Sequence, residues 1–312
     1  MTTYLLRRVI AIIPVAVVVS LAAFLLVQLS PGDPSAFFIG EDTPPEEIER
    51  IRERLGVDQP IHVQYWEWAQ RAVTGDLGTS FFQRRPVTEA YAQAFPITGM
   101  LALMSLVIAL IVAVPIGMYS ALKQGSIGDR ISTVFVFIGV SMPNFWLGML
   151  LVMFVALTTG WFPAQGFNTA TIFTRIQSLI LPALALGFSQ AAIIARMTRS
   201  SMLEVIRSDF VQTARAKGLR RKVVLIKHIF TNAFNPILTV IGVAVASLIA
   251  GSVVIELVFN LPGIGKLTVD SIARRDFPMI QGVLLLSAAV IITVNLLVDI
   301  LYGVLDPRIR YE

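Results

Sequence analysis

The sequence predicts an all-α integral membrane protein with six transmembrane helices, and three observations predict it. Of the 312 residues, 55% are hydrophobic and only 14% charged, whereas soluble domains carry about 25% charged residues. Mean hydropathy is +0.75. Apolar runs at 9–29, 97–121, 131–157, 178–195, 233–255 and 279–304 each approach the ~20 residues that carry a helix across roughly 30 Å of hydrocarbon. None alternates with the two-residue period of barrel strands, and lipid leaves no partner for an unpaired backbone amide, so the spans are expected to be helices.

The first span follows Arg7 and Arg8. Its apolar stretch exceeds the roughly 7–15 residues of a signal core and no A-x-A-like cleavage site follows, so it is expected to stay as an anchor. The segment 31–96 holds a charged helical stretch from Pro45 to Leu55 and the aromatic residues Tyr65, Trp66 and Trp68. It is too short for a confident core of its own and reads as a cap on the spans. Equally, Trp66 and Trp68 read as an interfacial aromatic belt. In the third span Pro143 removes a helical hydrogen bond, which provides either a gating bend or a packing kink.

Orientation follows from Lys and Arg beside the spans. Arg7 and Arg8 precede span one, Lys123 and Arg130 flank the next short loop, and Arg196, Arg199, Arg207, Arg215, Lys217, Arg220, Arg221, Lys222 and Lys227 crowd the loop between spans four and five. These places, with both termini, are expected in the cytoplasm, and 31–96 outside. Lys266, Arg274 and Arg275, in the loop from Phe259 to Pro278, are a mild exception. The pI of about 9.7 comes largely from the basic inner loop, so it does not argue for nucleic acid; the anionic inner leaflet accounts for part of it. With no cysteine, disulfides and thiolate metal sites are excluded.

The chain offers no chemistry of its own. Gly263-Ile264-Gly265-Lys266 lacks the glycine and the hydroxyl residue of a phosphate loop, having Asn260 and Leu267 in those places, and reads as a proline–glycine turn after a span. His62 and His228 are far apart in sequence and have no companion at metal-ligand spacing. Gly187-Phe188-Ser189-Gln190 stops short of a nucleophile elbow. Glu256 and Asp299 fall near span ends. The polar residues within the spans, Ser141, Asn144, Gln190 and Asn295, are neutral, which disfavours ion-coupled transport. They serve either a polar path or interhelical hydrogen bonds. Energy for any movement of solute is therefore expected from another subunit.

The run from Asp209 to Lys222, DFVQTARAKGLRRK, is the least expected of a greasy chain. Ser201-Met202-Leu203-Glu204 has capping-box spacing, so a helix is predicted to begin there. Met202, Ile206, Phe210 and Ala214 recur every fourth residue along one face. Gly218 is predicted to end that helix in a left-handed conformation, and a second basic helix to start near Arg220. An amphipathic helix on the anionic leaflet is one reading. The low relief of Ala214, Ala216 and Gly218 favours close approach by another protein.

Here the sequence resembles the permeases of binding-protein-dependent ABC importers, in particular the dipeptide, oligopeptide and nickel branch, over nearly its whole length. The segments that carry the resemblance are Leu29-Ser30-Pro31-Gly32-Asp33-Pro34, Leu55-Gly56-Val57-Asp58-Gln59-Pro60, Gly75-Asp76-Leu77-Gly78-Thr79-Ser80, Ser141-Met142-Pro143-Asn144-Phe145-Trp146, Ala195-Arg196-Met197-Thr198-Arg199-Ser200-Ser201, the 209–222 run, Leu261-Pro262-Gly263-Ile264-Gly265 and Leu305-Asp306-Pro307-Arg308. The general pattern closes on I-x-L-P, whereas this chain reads Ile229-Phe230-Thr231-Asn232-Ala233 with Pro236 displaced. The resemblance implies a type I (MetI-like) permease fold: a first helix in 1–30, an extracytoplasmic segment 31–96 and a five-helix core 97–312 that contains a coupling loop at 196–232. It implies that Glu204, Asp209, Thr213, Ala214, Arg215, Ala216, Lys217 and Gly218 meet an ATPase, and it makes Ser141, Asn144 and Gln190 candidates for the translocation path.

The expected setting is a bacterial inner membrane. The expected partners are a second homologous permease, two ABC ATPases that hold ATP and Mg, a solute-binding protein and a short peptide as cargo; this chain itself is expected to carry no cofactor and to be no enzyme. Nickel chelates, glutathione and oligosaccharides are the alternative cargoes of that branch. A membrane scaffold that recruits an ATPase, or an exporter, is the alternative in kind.

Overall fold

The structure is a computed structural model that describes residues 2–29, 44, 46, 49–50 and 58–305. Most of the charged stretch from Pro45 to Leu55, the segment 30–43 and the terminal motif after Leu305 lie outside the described residues. Among the described residues the chain is helical, and its only ladder contact is an isolated antiparallel bridge between Thr79 and Pro86. It divides into two compact units, Met1–Phe95 with Lys266–Thr293, and Pro96–Gly265 with Val294–Glu312.

In the first unit, α1 (Thr2–Gln28) receives α2 (Ile61–Val73). Phe24 of α1 sits edge-on to Tyr65 at 5.5 Å and tilted against Trp68 at 5.9 Å. Ser20 and Tyr65 share a 2.9 Å hydrogen bond, and Gln28 donates to Gln64 at 2.7 Å. Tyr65 and Trp68 are thus packed on the first span; of the aromatic trio only Trp66, 64% exposed, points away. The loop 74–86 then folds onto the start of α10 (Phe277–Leu305). Buried Asp276 accepts from the Ser80 hydroxyl and from the amides of Phe81 and Phe82.

The second unit is built around α6 (Ile172–Ile206), of whose most apolar stretch 67% is buried. The Thr171 hydroxyl opens this helix, accepting from the Thr174 amide at 3.1 Å, while Thr174 reciprocates to the Thr171 amide at 3.0 Å. Packed on α6 are α3 (Val87–Leu122), α4 (Ile127–Ser141), α5 (Asn144–Thr159) and α8 (Arg221–Val258). The largest cluster joins Leu101, Leu179, Leu181, Leu186, Leu248, Ile255 and Phe259. Lipid removes the hydrophobic drive between helices, so contact distance and dispersion decide the packing. Accordingly α3 and α6 cross where there is no side chain: a Cβ at Gly187 would stand 2.6 Å from the Ser105 carbonyl oxygen, and one at Gly117 would stand 2.6 Å from that of Ala195.

The spans outrun their apolar runs. The second helix starts at Val87 rather than 97, the fourth covers 172–206 rather than 178–195, and the fifth begins at Arg221 rather than 233, because polar residues lengthen a helix without raising its hydropathy. Among the described residues five helices are long and apolar enough to cross a membrane, and α4 with α5 makes the sixth span when the pair is counted as one. That pair is bent by 102°. Met142, held extended at ψ 123 before Pro143, ends α4, and the Pro143 carbonyl opens α5 by accepting from Trp146 and Leu147, both at 3.1 Å; a residue before proline is pushed out of the helical region. After α8 the turn at 259–263 leads at once into α9 (Ile264–Ala273).

Candidate functional site

The predicted helix start at Ser201 is wrong. Ser201 and Met202 are buried inside α6, so the S-x-x-E pattern lies within a continuing helix that tertiary packing maintains. The helix ends one turn later: Arg207 closes it with bonds to Glu204 and Val205, and Ser208 turns extended at ψ 149. The next helix, α7 (Asp209–Ala216), starts there with Asp209 in its first turn, where a negative charge suits the helix dipole. Glu204 is therefore an exposed residue of the last turn of α6 and not part of α7.

The break also shifts the buried face. Val211 and Ala214 are covered, and Phe210 is 46% exposed; Met202, Ile206, Phe210 and Ala214 do not form one stripe because 202–206 and 210–214 belong to different helices. Val211 and Ala214 enter a cluster with Ala121 of α3, Met202 of α6, and Val224, Ile229 and Ala233 of α8. The short helix thus rests on three spans at once. Asp209, Thr213, Arg215, Ala216 and Lys217 face away from this cluster and are exposed; the Thr213 hydroxyl is turned back to the Asp209 carbonyl at 2.9 Å.

Gly218 closes α7 as the sequence predicted, at φ +74. Its amide donates to Arg215 O at 3.0 Å and that of Leu219 to Ala214 O at 3.4 Å, the pair of bonds of a Schellman turn. A Cβ at Gly218 meets nothing within 4 Å: in this chain the turn is limited by its backbone angle alone. Arg220 follows as the cap of α8, whose first turns include a π-helical stretch, Val224–Phe230. The second basic helix is thus the start of span five. Beside the exposed cations Arg215, Lys217, Arg220, Arg221 and Lys222 stand apolar side chains that the sequence did not single out: Leu219 at 41%, Val223 at 40% and Ile226 at 50% exposure.

Above this loop the spans are tied by a bidentate pair. Arg199 of α6 donates from Nε to Asp129 Oδ1 at 2.8 Å and from Nη2 to Oδ2 at 3.0 Å. Asp129 also accepts from the Ser120 hydroxyl and from the Gly125 amide at 2.9 Å. The sequence counted Arg199 as a topology charge and as part of a family motif, without a partner. A second anchor is Glu256, fully buried in α8, which accepts from Thr98 Oγ1 at 2.6 Å while Thr98 accepts from the Ile264 amide at 2.9 Å. A Cβ at Gly263 would lie 2.5 Å from the Glu256 carboxyl carbon, so the glycine of the Leu261–Gly265 motif is what lets the turn close over this carboxylate.

Of the path candidates, Ser141 lines a groove of about 550 Å³ at the α4–α5 bend, with Ile138, Met142, Pro143, Phe145 and Trp146. Asn144 opens α5 beside it, half-buried. Gln190, half-buried on α6, does not line that groove.

The described helices thus form a bundle of apolar spans, one of them bent, with a short capped helix seated on three of them, the build of an integral membrane protein. Residues 113–311 match the family of binding-protein-dependent transport system inner membrane components, and 1–102 match the N-terminal domain of such membrane components. The chain belongs to this family. It is 40% identical, over the full length of both chains, to the oligopeptide transport system permease AppB of Bacillus subtilis and to the glutathione transport system permease GsiC of Salmonella choleraesuis. Its fold is similar to that of a chain of the MetNI methionine ABC transporter in an inward-facing conformation, with a TM-score of 0.57 and 17% identity, over 70% of this chain and 96% of that one.

Proposed function

We propose that this permease carries short peptides inward through the inner membrane as one of two homologous membrane subunits, driven by two ATPases that bind ATP and Mg and supplied by a solute-binding protein. The loop between α6 and α8 then faces the cytoplasm with both termini, and residues 31–86 and 259–278 face outward, in keeping with the basic residues on that loop. The observation that carries the reading is the construction of α7. Its inner side, Val211 and Ala214, is locked on α3, α6 and α8, while its outer side and the following turn present cations among exposed Phe210, Leu219 and Val223. An ATPase that seats there and closes on ATP moves three spans together, which links two binding equilibria through one shared element.

Ser141 and Asn144, at the bend of α4 and α5, and Gln190 on α6 line the path in this reading. The oligopeptide name of one relative and the glutathione name of another, itself a tripeptide derivative, support a small peptide as cargo. Reconstitution of the whole complex in liposomes decides it. ATP-dependent accumulation of labelled di- to pentapeptides is expected; ATP hydrolysis without accumulation of any solute contradicts it and favours a scaffold.

A further inference from the structure

Among the described residues, three other than glycine have a left-handed backbone: Asn260, Arg84 and Arg275, at φ 52, 53 and 55. Asparagine tolerates that region; arginine does so only under strain. Arg275 stands where α9 closes, its amide bonded to Ile272 O at 3.1 Å and that of Asp276 to Ser271 O at 2.9 Å, the position a helix end normally gives to glycine. Arg84 sits in the tight turn of loop 74–86, its amide on Ser80 O at 3.0 Å. Glycine fits both places better, so what these positions gain is the side chain.

Both side chains are exposed, and so is that of Arg274. The Arg274 guanidinium lies 3.7 Å over the ring of Phe82, itself 59% exposed. The loops that carry them are bolted together by Asp276, whose oxygens are spent on Ser80, Phe81 and Phe82. Asp76 is turned to the Gly78 amide and Glu89 to Gln93. Among the described residues Arg84, Arg274 and Arg275 make no ion pair. An unneutralised basic patch with an aromatic at its centre, held on two fixed loops, is an interface design, since arginine and aromatic residues anchor protein contacts.

We infer that Arg84, Arg274, Arg275 and Phe82 form the docking patch for an acidic surface of the solute-binding protein. This rests on the outward placement of loops 74–86 and 259–278 proposed above, where cations run against the bias that favours the inner side. Complementary charge there raises the encounter rate and fixes the register of a soluble, reversibly bound partner.

The test uses the whole complex in nanodiscs and the binding protein that supports its ATP-driven uptake. Affinity is measured at low and high salt for wild type, for Arg84→Gly with Arg275→Gly, and for Arg274→Glu. The double glycine variant relieves both strained turns, so its thermal midpoint stays or rises while its affinity at low salt falls about tenfold or more and loses most of its salt dependence. Arg274→Glu weakens binding without changing ATP hydrolysis measured in the absence of the binding protein. Unchanged affinity in both variants overturns the inference, as does a loss of thermal stability confined to nanodiscs with phosphatidylglycerol, which makes the patch a lipid clamp. Failure of every binding protein to support uptake by the wild type counts against the transport reading itself, not against this patch.

Discussion

The Asp129 carboxylate, 5% exposed, accepts from a guanidinium, a hydroxyl and an amide, and so joins the ends of α3 and α4 to α6. Hydrogen bonds to charged groups contribute about 1.5–3 kcal/mol each when a partner is removed. Asp129→Ala is expected to lower stability by about 2 kcal/mol and to leave Arg199 uncompensated; thermal unfolding of the purified complex checks it, and a pairing restored by Asp129→Glu recovers part of the loss. At Gly263 the expectation is steric: Gly263→Ala pushes a methyl onto the Glu256 carboxyl group, an overpacking of about 1–3 kcal/mol that reduced yield of folded protein in detergent reports. Neither contact was legible in the sequence. Arg199 and Asp129 are 70 residues apart and Thr98 and Glu256 are 158 apart, and local pattern carries no information on pairs at that distance.

Elements were legible where their signals are local. The end of α7 was read correctly because a glycine after a helical run specifies its own turn, and the α4–α5 break follows from one proline. The start of α7 was misread because a capping pattern is also local, and Met202, fully buried in α6, holds the helix through it. The face of α7 makes two opposed predictions. Val211→Asp places a charge in the cluster with Met202, Val224 and Ile229 and is expected to unseat the helix, with loss of uptake and of thermal stability together. Phe210→Ala removes an exposed ring and is expected to weaken ATPase association several-fold with stability unchanged; equal thermal losses in both variants contradict the two-faced assignment.

For the whole molecule, the spans were legible from hydropathy, as five described helices and a sixth when α4 and α5 are counted as one, but their lengths were not, since α6 and α8 run on into polar sequence that no apolar window includes. Sidedness is testable because the chain has no cysteine: a cysteine at Lys217 is expected to resist, and one at Glu47 to accept, an impermeant thiol reagent applied to intact cells. In the proposed function α7 and its glycine turn couple ATPase to permease. The most direct measurement is co-purification of the ATPases with Gly218→Val, compared with Arg220→Gln, Arg221→Gln and Lys222→Gln combined. A β-branched residue at φ +74 is strained by about 1–3 kcal/mol, which a chain held by six spans withstands and a docked turn does not. Normal insertion and loss of the ATPases are expected in Gly218→Val. Full retention by Gly218→Val, with loss in the charge variant, contradicts this coupling.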